Sequence, residues 1–188
     1  MSTSLFPWHF IFSILLGISI PVVSGRCLGH QQALLLQMRR NLEFDDQMST
    51  KLAKWNVRSP DCCFWEGVSC EDGRVVELDL SNEGISGELD NSSSLFSLHH
   101  LRSLDLSCNF FSSMIPSKIG NLTNLNYLNL SNSGFLGQIP REVSQLRNLV
   151  TLDLSTTNDY ESTILLAANE LKLENPTMKV LGSEPLSA

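Results

Sequence analysis

The sequence predicts an α/β solenoid, a short right-handed coil of similar turns in which each turn gives one strand to a parallel sheet. Three observations carry this. Leu101-Arg102-Ser103-Leu104-Asp105-Leu106-Ser107 returns 24 residues later as Leu125-Asn126-Tyr127-Leu128-Asn129-Leu130-Ser131, and again as Leu149-Val150-Thr151-Leu152-Asp153-Leu154-Ser155. A fixed period of that length marks stacked turns, none of which buries its apolar face alone. Within each block the leucines alternate with polar residues, the period-two pattern of a half-buried strand. Finally, four of the five cysteines, Cys27, Cys62, Cys63 and Cys70, lie ahead of the repeats. The first turn of any such stack has an open apolar edge that needs a cover.

The elements follow in chain order. Residues 1–25 hold no Lys, Arg, Asp or Glu, and Phe10 to Val23 is almost wholly apolar. With small residues at Val23-Ser24-Gly25, this reads as a secretory signal peptide, too short for the roughly 20 residues of a spanning helix. Residues 26–73 form the cap. Ala33, Leu34, Leu35, Met38 and Leu42 fall at helical spacing, with Gln31, Gln32, Arg39 and Arg40 between them, so an amphipathic helix is expected. Ser49 opens a second short helix in which Leu52 and Trp55 share a face, and Asn56 to Pro60 is a turn. Residues 74–157 hold about four repeats. The first strand is Val75-Val76-Glu77-Leu78-Asp79-Leu80-Ser81, and the next repeat follows after 26 residues, so two residues are inserted near Asn91 to Ser94. The period is lost after Thr156. Residues 158–188 read as an irregular tail, the remnant of an interrupted array that leaves the last turn uncovered. The alternative is a short helix at Ile164, Leu165, Ala168 and Leu171 lying across that turn.

The net charge is −7, and eight acids fall between Glu66 and Asp90 against Arg74 alone. This argues against nucleic acid or an anionic membrane as partner, and no second apolar run of spanning length follows the first. Behind a signal peptide, four clustered cysteines read as disulfides. Zinc is the rival reading, but the spacing is not a usual ligand spacing and no His completes a site, so no metal or cofactor is expected. Cys108 is left over, as a free thiol at a variable repeat position or else as a partner for another chain.

The pattern Leu-x-x-Leu-x-Leu-x-x-Asn-x-x-x-x-x-Ile-Pro, complete from Leu101 to Pro116 with Asn109 in the Asn position, is similar to the plant extracellular leucine-rich repeat. The ending Gly137-Gln138-Ile139-Pro140 looks like the same subclass. Trp55 with Cys62-Cys63-Phe64-Trp65-Glu66-Gly67-Val68-Ser69-Cys70 resembles that family's N-terminal cap, and Leu171-Lys172-Leu173-Glu174-Asn175-Pro176 resembles a stretch of the receptor-like proteins of plant immunity, of the type that perceives Verticillium wilt fungus. The resemblance implies a leucine-rich-repeat solenoid with a disulfide-bonded helical cap, and it implies the pairs Cys27–Cys62 and Cys63–Cys70. At the family's inward Asn position this chain has Glu83, Ser133 and Thr157 besides Asn109. Ser133 and Thr157 are expected to make part of the usual hydrogen bonds. Glu83 fits worst and, next to the cap, has room to turn outward.

The resemblance also implies non-enzymatic recognition. The chain is expected to be an ectodomain fragment of a receptor-like protein in plant defence or signalling. Its partners would be an extracellular protein, peptide or glycan ligand and, within a longer receptor, a co-receptor kinase. It would enter the secretory pathway and reach the apoplast, or the plasma membrane if the longer receptor is anchored. The alternatives are a small secreted protein similar to plant inhibitors of fungal polygalacturonase, or a truncated product without independent activity. Recognition is expected on the outward strand positions, which include Glu77, Asp79 and Thr151. Arg102, Asp105, Tyr127, Asn129 and Asp153 are the chosen ligand-binding candidates there, because aromatic and Arg side chains dominate binding hot spots. Asn91, Asn121 and Asn129 head N-x-S/T sequons and are glycosylation candidates. His9, His30, His99 and His100 form no recognisable constellation; Ser92 to Ser94 near His99-His100 lacks a nucleophile elbow, so no catalytic residue is assigned.

Overall fold

The computed structural model describes residues 26–56, 58 and 61–156, together with the strand at 179–181. The expected signal segment and the helical alternative in the tail lie outside the described residues. Helix α1 (Gly29–Asn41) opens the cap, followed by the short strand β1 (Glu43–Phe44). A hairpin of β2 (Val68–Glu71) and β3 (Arg74–Asp79) leads into the repeats. The chain then supplies β4 (Ile85–Gly87), β5 (Ser103–Asp105), β6 (Phe110–Phe111), β7 (Tyr127–Asn129), β8 (Thr151–Asp153) and β9 (Lys179–Leu181). The main sheet runs β2-β3-β5-β7-β8-β9, parallel from β3 onward, and β1-β4-β6 form a second sheet. The 3-10 turns Ser94–Ser97, Ser117–Asn121 and Arg141–Gln145 return the chain from one strand of the main sheet to the next.

The register is the repeat made visible. Leu78, Leu104, Leu128 and Leu152 pair in one row. These four and Leu80, Leu106, Leu130 and Leu154 are all at most 2 % exposed. Each such leucine contributes about 1.5–3 kcal/mol by burial, so a stack of three-residue strands holds by its core and not by its own ladder. The sheet extends further than expected. Lys179 pairs with Thr151 and Leu181 with Asp153, so β8 has a neighbour and the last turn is not left bare along its strand. The interval to this strand is 28 residues and it carries Val180 where the other strands have leucine, which hides the period from inspection.

The inward polar positions are filled in three ways. Asn109 donates from Nδ2 to the carbonyls of Leu80, Leu106 and Ser107, and its Oδ1 accepts from the N–H groups of Glu83 and Ile85. Ser133 donates to the Leu130 carbonyl. Thr157 lies outside the described residues. Glu83 does not turn outward: it is fully buried. Its carboxylate accepts from the Ser49 hydroxyl (2.5 Å), the Thr50 N–H and hydroxyl (3.3 and 3.0 Å), and the N–H groups of Lys51 (3.0 Å) and Leu52 (2.9 Å). Burial by itself raises the carboxyl pKa, but these donors outweigh it and hold the group below the usual glutamate range. The cap is thus anchored to the first repeat through one buried carboxylate.

The cap agrees with the expectation in outline. Leu35 and Met38 are buried on α1, but Ala33 is exposed and Gln31 is buried. Gln31 is drawn inward because its Oε1 accepts from the Val75 N–H at 3.0 Å, a backbone donor at the start of the first repeat. Ser49 accepts from the Ala53 N–H and opens the 3-10 turn Leu52–Lys54, with Leu52 and Trp55 buried as expected. Trp55 stacks on Trp65 at 5.2 Å. The disulfides are Cys27–Cys62 and Cys63–Cys70. The three cysteines Cys27, Cys62 and Cys63 whose sulfurs crowd together are therefore consumed by these bonds rather than held for a metal.

Candidate recognition surface

Each turn exposes two side chains of its strand. Glu77, Ser103, Tyr127 and Thr151 pair in one row, and Asp79, Asp105, Asn129 and Asp153 in the next. The second row has a structural duty that the sequence reading missed. In each of these four turns the Oδ1 atom accepts from both the N–H and the hydroxyl of the serine two residues on, at Ser81, Ser107, Ser131 and Ser155, with distances from 2.6 to 3.0 Å. The recurring Asp-Leu-Ser or Asn-Leu-Ser in the repeats was the available signal. This pairing turns the chain at the strand end, as short polar side chains do elsewhere.

Of the five chosen candidates, Asp105, Asn129 and Asp153 share this row, all half-buried. Asp105 Oδ2 takes a hydrogen bond from Asn129 Nδ2 at 2.9 Å, so neighbouring turns are tied side chain to side chain. One of the two amide hydrogens of Asn129 is thereby engaged. Tyr127 stands beside the row, half-buried; burial first, and then the Asp105 carboxylate, push its phenol pKa up, although a hydrogen bond with Asn129 opposes them. Arg102 does not join the row. It sits one residue ahead of β5, ion-paired with Glu71, and lines a polar hollow of about 390 Å³ with Arg74 and His100. At the cap end, Asp79 is bridged by Lys51 at 2.9 Å. Burial pushes the Asp79 carboxyl up, but hydrogen bonds from Ser81 and Lys51 bring it below its ordinary value.

The surface is polar throughout. Its leading edge carries Arg74 and Arg102 beside Glu71 and Asp72, its central row is Glu77, Ser103, Tyr127 and Thr151, and its trailing row is mostly carboxylates. Such a face can hold an extended ligand by hydrogen bonds and opposed charges. The serine–histidine neighbourhood is structural at Ser94, which is buried and donates to the Leu34 carbonyl at 2.7 Å. Cys108 is exposed and unbonded to the other described cysteines, and it occupies a left-handed position (φ +54°) that Asn82 and Asn132 fill in the adjacent turns. Among the described residues no helix is long and apolar enough to cross a membrane.

The geometry agrees with what known proteins show. Residues 28–71 match the leucine-rich-repeat N-terminal domain model and residues 99–159 match the leucine-rich-repeat model. Receptor-like protein 48 of Arabidopsis thaliana is 41 % identical over 108 residues, covering 54 % of this chain and 13 % of that protein. The ectodomain of BIR2 from the same plant superposes with a TM-score of 0.59 at 31 % identity, covering 67 % of each chain. The ectodomain of the receptor kinase GASSHO1/SCHENGEN3 from Arabidopsis thaliana, solved in complex with CASPARIAN STRIP INTEGRITY FACTOR 2, gives 0.56 at 29 % identity, covering 66 % of this chain and 15 % of that one. The chain thus spans about an eighth of the receptor-like protein it matches. With a matching cap, matching repeats, the same solenoid and both cap disulfides in place, the chain belongs to the plant leucine-rich-repeat family, in the likeness of its receptor-like proteins.

Proposed function

We propose that the chain is the ligand-facing N-terminal part of an extracellular receptor-like protein in plant defence or signalling, and that it acts by binding alone. The observation that carries this is the outward strand face, a continuous polar surface whose second row is held by its own hydrogen bonds. Preorganisation of this kind lowers the entropic cost of binding. The ligand is an extracellular protein, peptide or glycan lying across the strands, with Tyr127 as its central contact and Arg102, Asp105, Asn129 and Asp153 around it. Five parallel strands about 4.8 Å apart span only about 19 Å, whereas a standard interface buries about 800 Å² per partner. Weak binding by this segment, completed by further turns and a co-receptor kinase, follows from that size. The occupied receptor kinase ectodomain among the structural relatives supports the reading by likeness.

The test is to express the full chain in plant cells, recover it from the extracellular wash, and titrate it by interferometry with fractions of extracellular fluid and fungal culture filtrate. A saturable response that falls at least tenfold in Tyr127→Ala, and is unchanged in Ser97→Ala on the opposite wall, supports the proposal. Retention of the chain inside the cell, or a response indifferent to Tyr127, Arg102 and Asp153, refutes it.

A further inference from the structure

A groove lies away from the strand face. It lies beside the Ile-Pro turns of two successive repeats and the equivalent Leu89-Asp90 of the repeat before them, has a volume of about 760 Å³, and is lined by Leu89, Ile115, Pro116, Ile139 and Pro140. Met114 and Asn91 stand in its wall. Asn91 heads the sequon Asn91-Ser92-Ser93 and is exposed. Its orientation is fixed, because one amide atom accepts from the Lys118 N–H at 2.9 Å and the Ser117 hydroxyl lies 3.3 Å away. A backbone N–H only donates, so that atom is the oxygen. The nitrogen is thereby turned away from the turn.

We propose that Asn91 carries an N-linked glycan and that the inner sugars of this glycan fill the groove. In the transfer, Asn91 Nδ2 attacks the anomeric carbon of a lipid-linked oligosaccharide diphosphate. The C–N bond forms, the anomeric C–O bond breaks, Nδ2 loses one proton, and the lipid diphosphate departs. The oxygen-side hydrogen bonds to Ser117 and Lys118 survive, so the modification and the fold are compatible. The groove suits the occupant. Its apolar floor accepts the C–H faces and acetyl methyl groups of N-acetylglucosamine, and Gln138 offers an amide along the wall, while the Ser113 and Ser144 hydroxyls are engaged with the backbone of Leu89 and Arg141. A tether inside the wall gives the sugar a high effective concentration there. Asn129 makes the contrast: it stands in the middle of the strand face, where a glycan would cover the ligand-facing rows. A glycan on Asn91 therefore covers the Ile-Pro flank and leaves the strand face open, which would direct ligands to that face. This rests on the extracellular reading above.

The experiment compares the secreted full chain with Asn91→Gln and Asn91→Asp, the second keeping an oxygen acceptor for Lys118. Intact mass should fall by one core oligosaccharide in both variants. Peroxide oxidation then reports the groove, since methionine oxidation follows exposure. Without a glycan, Met114 (68 % exposed) and Met48 (52 % exposed, outside the groove) are comparably open. In the secreted protein Met114 should oxidise at least threefold more slowly than Met48, and in both variants that gap should close. A secreted chain bare at Asn91, or one whose Met114 to Met48 ratio ignores the glycan, overturns the inference alone. A chain found only inside the cell overturns the extracellular reading as well.

Discussion

Glu83 provides the sharpest test of how the cap is held. Its buried carboxylate receives donors from Ser49, Thr50, Lys51 and Leu52 in a segment 31 to 34 residues earlier. Truncation to alanine removes the acceptor but not the donors. The Ser49 and Leu52 bonds are buried, so two donors are left without a partner and without water. At about 1–3 kcal/mol for each, with a cavity where the side chain stood, Glu83→Ala should cost about 3–5 kcal/mol. For a chain of this size that lowers Tm by roughly 10 °C. Glu83→Gln keeps the shape and one acceptor oxygen but points an amide N–H₂ at other donors, and should cost about 2 kcal/mol. The pH dependence has a definite sign. The folded carboxyl lies below its ordinary value, so its stabilisation is complete above about pH 4.5 and is lost as pH falls through the folded pKa. Urea unfolding of the oxidised protein followed by tryptophan fluorescence reports the cap directly, because Trp55 and Trp65 both lie in it. A cost below about 0.5 kcal/mol for Glu83→Ala, or an acid slope that Glu83→Gln leaves unchanged, refutes the anchoring role.

Further expectations follow from other residues. Replacing Cys27 and Cys62 by serine opens a loop of 35 residues and should cost about 4 kcal/mol, against about 2.5 kcal/mol for Cys63 and Cys70 with a separation of 7, both read from urea midpoints. Cys108→Asn should stabilise the protein by about 0.5–1 kcal/mol, because asparagine tolerates the left-handed backbone better than cysteine does. A neutral or destabilising result would count against that reading of the position. Asp105→Asn should bring the Tyr127 phenol back toward its ordinary range in an ultraviolet pH titration, since the Asp105 carboxylate is one of the groups pushing it up. A phenol transition that does not move would leave burial, with the Asp153 and Asp79 carboxylates, as the cause.

Part of this structure is legible in the sequence because it depends on spacing alone. The leucine rows, the inward Asn109 and the outward-facing tyrosine follow from a period and an alternation. What escaped the reading depends on partners far along the chain. Glu83 breaks the family pattern, and only the folded cap supplies the four residues that accommodate a carboxylate there. Gln31 looked like the polar side of a helix until the Val75 N–H gave it a buried partner. The second outward row looked free because a strand alternation says which side a residue faces, not whether its oxygens are already taken. β9 was hidden by a longer interval and by the loss of the motif leucines, although its register with β8 continues the sheet. Arg102 faces the expected side but lies at the edge, one residue outside the strand that carries Asp105.

The central claim is that this solenoid recognises its ligand across the outward strand face, at Tyr127. Hydroxyl-radical footprinting of the secreted full chain, with and without a binding fraction of extracellular fluid, measures this most directly. Ligand should reduce labelling of Tyr127 at least threefold while leaving Phe64, 83 % exposed on the cap, unchanged. Protection at Phe110, 60 % exposed in the second sheet, with Tyr127 labelled as before, would contradict the account.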